Sequence, residues 1–319
     1  MVRVLVTGAG GFVGRHLARA LAARGAQIHG FGLGPAPEDT PSMAWREGDV
    51  LDRDALDAAV AGAEPDAVVH LAGQSSAGLS FERPVETYRS NAMGTWALLD
   101  AVHRHAPRAR VLVVGTSEAY GPQPGGSRVR EDAPFRPVSP YALSKAAADA
   151  LSAAFARRHG LMLIRTRSFA HTGPGQAPTF VVPAFARQIA RIEAGKEDGV
   201  LHVGNLDVTR DITDVRDVVE AYILLLERGQ PGGAYNVCRG EGLSLSKLVA
   251  ELCALARRKV RVEVDPSRFR PSDLPWLVGD PSALHRDTGW APVTPLSTTL
   301  ADVLEFWREL PVDRREESV

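Results

Sequence analysis

The residues Val2-Arg-Val-Leu-Val-Thr7 run directly into Gly8-Ala-Gly-Gly11-Phe-Val-Gly14, and an amphipathic pattern carrying Leu17 and Leu21 follows without a break. A short apolar run, a glycine loop and a helix in immediate succession constrain the chain to begin as a βαβ unit. The glycines then have separate tasks. Gly8 allows the tight turn, Gly11 lets backbone N–H groups approach a pyrophosphate at the helix start, and Gly14 permits close packing of the helix on the strand. The spacing is G-x-x-G-x-x-G, which differs from the more familiar G-x-G-x-x-G dinucleotide loop. Gly8, Gly11, Phe12, Val13 and Gly14 are the expected phosphate-proximal contacts.

The rest of the first half keeps the same rhythm. Strand-like runs at Val2–Thr7, Gln27–Phe31, Ala67–Leu71, Arg110–Gly115 and Met162–Arg167 alternate with helical patterns. Those patterns fall around Arg15–Arg24, Arg53–Val60, Pro84–His105 and Tyr141–His159. Such alternation predicts right-handed crossovers and an α/β, Rossmann-like doubly wound parallel sheet, with ligands at the carboxyl ends of the strands. After about Arg167 the chain breaks into loops rich in Gly and Pro, among them Thr172–Pro178, Gly229–Gly233 and Arg268–Pro275. We expect a dinucleotide-binding domain over residues 1–167. Residues 168–319 are expected to form mainly a smaller, discontinuous α/β substrate domain, with some segments returning to the first.

Tyr141 and Lys145 stand four residues apart in Ser139-Pro-Tyr-Ala-Leu-Ser-Lys145, and Thr116 precedes Tyr141 by 25 residues. On a helix, positions i and i+4 share a face. The ammonium of Lys145 is thus expected beneath the phenol of Tyr141, where a positive neighbour favours the phenolate. A hydroxyl residue followed at this distance by Tyr-x-x-x-Lys is a signature of nicotinamide redox chemistry.

Together these motifs resemble the extended short-chain dehydrogenases/reductases, the NAD-dependent epimerase/dehydratase family that acts on nucleotide sugars. The resemblance spans essentially the whole chain. It also takes in Gly48-Asp49-Val50 as the adenine-contacting turn, His70-Leu71-Ala72-Gly73 beside the cofactor, and Asn91–Thr95 on a central buttressing helix. Within the family, Ser168–Gln176, Phe180–Ala190 and Val203–Val215 are similar to the reductases of GDP-4-keto-6-deoxy-mannose that form GDP-rhamnose. Arg270 and Gly279–Ser282 occur in those reductases and in the related GDP-mannose 4,6-dehydratases.

The resemblance implies a mechanism. NAD or NADP binds over the glycine loop, Tyr141 supplies a proton to O4, Thr116 hydrogen-bonds that oxygen, and Lys145 holds the nicotinamide ribose. Arg187, Arg210 and Arg270 are carried over as partners of a GDP-linked sugar diphosphate, for which a planar, always-charged guanidinium is suited. Two departures bear on the substrate. Ala170 stands where the reductases usually have an Asn that contacts it. Glu118 stands where dehydratases carry the base that removes a C5 proton, so a 4,6-dehydratase or an epimerase remains the alternative. A cofactor-binding regulator without chemistry is a further class, opposed by the Tyr/Lys pair.

The second strand ends His29-Gly-Phe-Gly32-Leu-Gly34, with neither an acid for the ribose 2′-OH nor a base for a 2′-phosphate, so neither cofactor is preferred. A formal net charge of −1 argues against nucleic acid or an acidic membrane as partner. Two cysteines, Cys238 and Cys253, form neither a metal-ligand spacing nor a disulfide framework, which favours a reducing cytoplasm. No stretch approaches the ~20 apolar residues of a spanning helix, and the start reads as a strand and not as a signal peptide. The Ala- and Leu-rich helices around Asn91–His103 and Tyr141–Ala154 pair, in the family, into a four-helix dimer interface.

Overall fold

The computed structural model describes residues 2–38, 40–123, 126–269 and 274–310. Six strands follow in chain order: β1 (Arg3–Thr7), β2 (Gln27–Gly32), β3 (Ala44–Glu47), β4 (Ala67–His70), β5 (Arg110–Thr116) and β6 (Met162–Ser168). A seventh, Ala234–Val237, pairs with β6 and completes one sheet in the order Ala234–Val237, β6, β5, β4, β1, β2, β3. Every pairing is parallel. The order reverses between β1 and β4, and this is where a doubly wound sheet opens a crevice for a ligand.

The helices interleave as α1 (Phe12–Ala23), α2 (Arg53–Ala63), α3 (Ala77–Glu82), α4 (Pro84–Tyr88), α5 (Gly94–His105), α6 (Pro140–His159), α7 (Val181–Glu193) and α8 (Val215–Arg228). Alternate residues of each central strand feed opposite cores. Val4, Val6, Leu112 and Ile164 pack with Leu17 and Leu21 of α1 and Val218 and Tyr222 of α8. Leu5, Val111, Val113 and Leu163 pack with Leu56 of α2, Leu98 of α5 and Phe155 of α6. A third core joins α7 to the helices Leu245–Ala254 and Leu296–Glu309 through Phe185, Ile189, Leu248 and Trp307.

Two elements differ from the sequence expectation, and one expected return to the sheet had no residues assigned to it. The helix anticipated over Pro84–His105 is broken by a π-helical turn at Arg89–Met93 between α4 and α5. Strand β3 was not anticipated, because Ala44–Glu47 is an edge strand with polar, exposed positions and no apolar run. The return of Ala234–Val237 to the sheet comes from a four-residue segment too short to announce itself.

The glycine loop behaves largely as its spacing implies. Gly8 has φ +73°, and a Cβ there would lie 2.7 Å from Ala72 N, so strand β4's continuation passes hard against the turn. A Cβ at Gly14 would meet Gly8 O at 2.4 Å and Ala9 O at 2.6 Å. Gly14 therefore lets α1 settle on the loop's own carbonyls, where the sequence suggested contact with the strand.

Helix α6 is fixed at both ends. Ser139 Oγ accepts from Ala142 N at 3.0 Å, Pro140 fills the first helical position, and Gly160 closes the helix at φ +69°. Its buried Asp149 receives Arg165 Nη1 at 2.7 Å and Arg167 Nε at 3.1 Å, both from β6. Arg167 also donates to Tyr120 Oη at 3.0 Å and lies 4.5 Å from the ring centre of Phe135. Tyr120 in turn donates to Asn236 Oδ1 at 2.7 Å. One carboxylate thus ties α6 to β6, to the turn after β5 and to the returning strand. Asp149→Ala leaves the buried Arg167 and the partly buried Arg165 without their counter-charge and is expected to lower stability by about 3 kcal/mol. Urea unfolding of the variant measures this, and a loss under about 1 kcal/mol would show that the cluster is not a principal tie.

Candidate functional site

The carboxyl ends of the sheet strands open into a cleft of about 1460 Å³. A pocket for one small ligand is typically about 300–1,000 Å³, so this cleft has room for two molecules side by side. One half is floored by Gly8, Gly10, Gly11, Phe12, Val13 and Gly14, with Asp49, Val50, Leu71, Ala72 and Gly73 also on its wall. The structure therefore brings every sequence-predicted cofactor contact to one surface. The first N–H groups of α1 have no intrahelical partner and no acidic side chain occupies its first turn, so this end favours an anion.

Thr116 ends β5, and Tyr141 lies in the first turn of α6. Their side chains lie close enough for Thr116 to act on the phenol. Both are buried. Burial raises the phenol well above its ordinary range, the Glu118 carboxylate raises it further, and the Thr116 hydroxyl opposes both. Lys145, one helical turn on, donates from Nζ to Val114 O at 3.0 Å, and burial lowers its ammonium to about 8. The expectation that Lys145 depresses the phenol is corrected here. The ammonium is anchored on the β5 carbonyl, and burial together with Glu118 governs the phenol.

Glu118 lines the cleft within the short turn Ser117–Tyr120 and is half-buried. Thr116 Oγ1 accepts from its backbone N–H at 3.3 Å, so the hydroxyl and the carboxylate are positioned by the same turn.

Behind Lys145 lies a hydrogen-bonded chain whose directions are fixed by its ends. Thr95 Oγ1 donates to Asn91 O at 2.6 Å, which spends its only hydrogen. It must then accept from His70 Nε2, 3.0 Å away, leaving His70 Nδ1 to accept from Thr7 Oγ1 at 2.7 Å. Burial lowers His70 to about 3, consistent with this neutral tautomer. The chain holds the π-helical turn, where Asn91 Nδ2 donates to Gln74 O at 3.0 Å and to Ser144 Oγ at 2.9 Å.

Asn91 Oδ1 is buried and has no partner among the described residues. It faces Gly73, where a Cβ would lie 2.4 Å from it and 3.9 Å from Lys145 Nζ. An orphaned acceptor and an ammonium converging on one glycine suit the hydroxyls of a ribose. The glycine loop, this acceptor and Lys145 together fit a pyridine dinucleotide. At the end of β2 the cleft is walled by Gly32, Leu33, Pro35, Pro37 and Trp45, without a charged side chain among them. Trp45 Nε1 donates to Gly34 O at 3.1 Å and turns its indole toward Gly32.

The other half of the cleft is lined by Phe169, Ala170, His171, Thr172, Val181, Phe185, His202, Asn205, Arg210 and Arg268, among others. Burial lowers the His171 imidazole's pKa; the ring bonds Phe169 O through Nδ1 at 3.0 Å and stacks on Phe12 at 6.3 Å between ring centres. It thereby joins this wall to the glycine loop. Arg210 donates to Thr209 O at 3.0 Å and to Leu274 O. Arg187 is not brought to the cleft. Helix α7 presents Val181, Val182, Ala184 and Phe185 to it, and Arg187 lies half-buried beyond them. Arg270 lies outside the described residues. Among the cations that sequence reasoning missed is Arg268, which lines this half and pairs with Asp265 at 3.2 Å. Its signal was present in Arg268-Phe-Arg270, two arginines close together in the sequence, of which only the second matched a motif.

The family model described as GDP-mannose 4,6 dehydratase matches residues 5–303. The GDP-6-deoxy-D-mannose reductase of Pseudomonas aeruginosa is 35% identical over 96% of this chain and 97% of its own length. A GDP-mannose 4,6-dehydratase of Yersinia enterocolitica is 30% identical over 95% of this chain and 93% of its own. The solved structure of RMD from Pseudomonas aeruginosa complexed with NADPH superposes with a TM-score of 0.84 at 33% identity, covering 97% of this chain and 99% of that one.

The position of Lys145 generates a pH dependence. Its ammonium begins to deprotonate near 8 in the free protein, and an anionic dinucleotide favours the protonated form. Binding above that pH must therefore take up a proton. Affinity for NADPH is expected to be flat below about pH 7.5 and to fall as pH rises through about 8, by up to about tenfold per unit. Fluorescence titration across this range tests it, with Lys145→Met expected to flatten the profile. A wild-type affinity constant to about pH 9.5 would contradict it.

Proposed function

The chain belongs to the GDP-mannose 4,6-dehydratase family, and from that premise we propose that it is an NAD(P)H-dependent reductase of the 4-keto group of a nucleoside-diphosphate 4-keto-6-deoxy-hexose. The substrate in this reading is GDP-4-keto-6-deoxy-D-mannose and the product GDP-D-rhamnose. The observation that carries it is the convergence of the Thr116 and Tyr141 side chains, buried beside Lys145 in a cleft with room for two ligands. Whole-length similarity to a GDP-6-deoxy-D-mannose reductase supports the same reading.

A reduced nicotinamide, when bound, supplies a hydride. Thr116 and Tyr141 hold the ketone oxygen, which polarises the carbonyl carbon toward attack. Because the phenol is held above its ordinary range, it keeps its proton until negative charge develops on that oxygen. It then transfers the proton to O4, so that C4 gains one hydride and O4 one proton. Lys145 and Asn91 Oδ1 hold the ribose, and the first turn of α1 holds the pyrophosphate. Arg210 and Arg268 are placed to meet the sugar diphosphate at the opposite end. Asp265 and two backbone carbonyls orient these guanidinium groups.

Glu118 favours a second reading, a 4,6-dehydratase, because its carboxylate shares the cleft with the phenol and the Yersinia enterocolitica relative bears that name. The two differ in their use of reductant. A reductase consumes one NAD(P)H per sugar, whereas a dehydratase recovers its hydride within the turnover. Purified protein given the 4-keto-6-deoxy sugar is expected to oxidise NAD(P)H stoichiometrically and to leave GDP-mannose unchanged. Tyr141→Phe is expected to reduce the rate by about 10² to 10⁴ with little change in NAD(P)H affinity, and Glu118→Gln to be mild. Conversion of GDP-mannose without added reductant, abolished by Glu118→Gln, would replace the reductase reading with the dehydratase.

The reading includes a homodimer in the cytoplasm. Val85, Tyr88, Met93, Trp96, Val138 and Leu143 expose apolar side chains on α4, the π-helical turn, α5, the segment leading into α6, and α6 itself. A patch of this kind suits burial against a second copy. Cys238 and Cys253 are free thiols, in keeping with a reducing compartment. Leu143→Glu combined with Trp96→Glu is expected to convert a dimer to monomer in sedimentation velocity, and a dimer that survives both changes would place the interface elsewhere.

A further inference from the structure

We propose that the strand Arg261–Val264 is a docking edge for a second copy of this chain, paired antiparallel about Val262. This contact is separate from the helical face and from the reaction. The strand pairs in parallel with Val200–Val203, and among the described residues no strand lies along its other edge. All four of its residues are exposed. An open edge of this kind is a template for another strand unless something blunts it.

The direction of the open groups follows from the bonds already made. Arg261 N donates to Gly199 O at 2.9 Å, and Asp265 N donates to Val203 O at 2.8 Å. Main-chain groups alternate in direction along a strand, so Arg261, Glu263 and Asp265 turn theirs toward the inner neighbour. Val262 and Val264 turn their N–H and C=O groups outward. Their side chains are exposed as well, which is unusual for valines inside a regular strand.

The sequence identifies the occupant. Lys259-Val-Arg-Val-Glu-Val-Asp265 is self-complementary about its centre. When Val262 faces its own counterpart in an antiparallel pair, Arg261 stands opposite Glu263 of the second copy, Val260 opposite Val264, and Lys259 opposite Asp265. Every charge meets its opposite, and symmetry makes each pair twice. The outward-turned valines form the hydrogen-bonded pairs. Arg261 and Glu263 fall at the non-hydrogen-bonded positions, where side chains come closest, at about 4.5 Å between Cα atoms. A parallel pair in the same register would set Arg261 on Arg261 and Glu263 on Glu263, which is repulsive. Within one copy Arg261 and Glu263 already lie 3.7 Å apart, and Asp265 also holds Arg268 at 3.2 Å. Such exposed pairs contribute little alone, whereas a second strand joins them into an alternating cluster. One short edge buries less than the roughly 1,000 Å² of a stable interface, so this contact forms at high protein concentration and adds to the helical face. Two twofold surfaces on each copy give a closed tetramer or an open chain.

Sedimentation equilibrium of the full chain, from dilute to near-millimolar protein, tests the edge. Whatever species stands at the dilute end, its mass is expected to at least double as concentration rises, so failure of the helical dimer and failure of the edge are read separately. Arg261→Glu makes both Arg–Glu pairs repulsive and is expected to raise the dissociation constant of this step by about tenfold. Adding Glu263→Arg to it reverses the pairs and is expected to restore the constant to within about threefold of wild type. Val262→Pro removes an outward N–H, leaves the inner ladder intact and is expected to abolish the step. Thermal unfolding at the dilute end, where the edge is unpaired, is the folding control for all three. A wild type whose mass does not rise with concentration would overturn the proposal, and so would an association that neither Arg261→Glu nor Val262→Pro weakens. A loss in Arg261→Glu that the double variant does not restore would overturn the antiparallel register.

Discussion

A single buried carboxylate orders the catalytic end of this molecule. Asp149 on α6 neutralises Arg165 and Arg167 of β6, and Arg167 passes the connection to Tyr120, which closes the turn carrying Thr116 and Glu118. The acid on α6, the hydroxyl at the end of β5 and the carboxylate beside them come from separate parts of the chain. Their separation is set by this cluster. A charged network in the interior is weak evidence for stability by itself, since desolvating the ions opposes their attraction. Here its consequence is geometric, because the elements it ties each deliver one chemical group to the same few ångströms.

Burial then does the electrostatic tuning. The same low-polarity environment raises the Tyr141 phenol and lowers the Lys145 ammonium to about 8. One group thereby holds its proton firmly and the other holds it loosely. For a reaction in which negative charge grows on a sugar oxygen, a firmly held proton is transferred only once that charge is present. Glu118 reinforces the phenol's hold by direct repulsion of the phenolate. This gives Glu118 an electrostatic effect in a reductase, without any proton of its own to remove.

What was legible in the sequence was what is local. Gly8, Gly11 and Gly14 are dictated by one turn, and Tyr141 and Lys145 by one helical repeat, so their spacing carries their geometry. The parallel, doubly wound sheet followed from alternation of apolar runs with amphipathic ones. The departures are all long-range. Arg187 sits on the right helix but beyond its cleft-facing turn, and Arg268 reaches the cleft through a bend no periodicity marks. The lowered phenol expected from Lys145 failed for the same reason, since what raises the phenol, burial and the Glu118 carboxylate, comes from elsewhere in the fold.

The central claim is that a nicotinamide hydride is delivered to C4 of a sugar whose oxygen rests on Thr116 and Tyr141. It is tested most directly by turnover of GDP-4-keto-6-deoxy-D-mannose with NAD(P)H deuterated at the transferable position of the nicotinamide, followed by magnetic resonance of the sugar product. The account predicts one deuterium per molecule, located at C4 and on a single face of the ring. Product formed without deuterium, or with deuterium at C6, would contradict it.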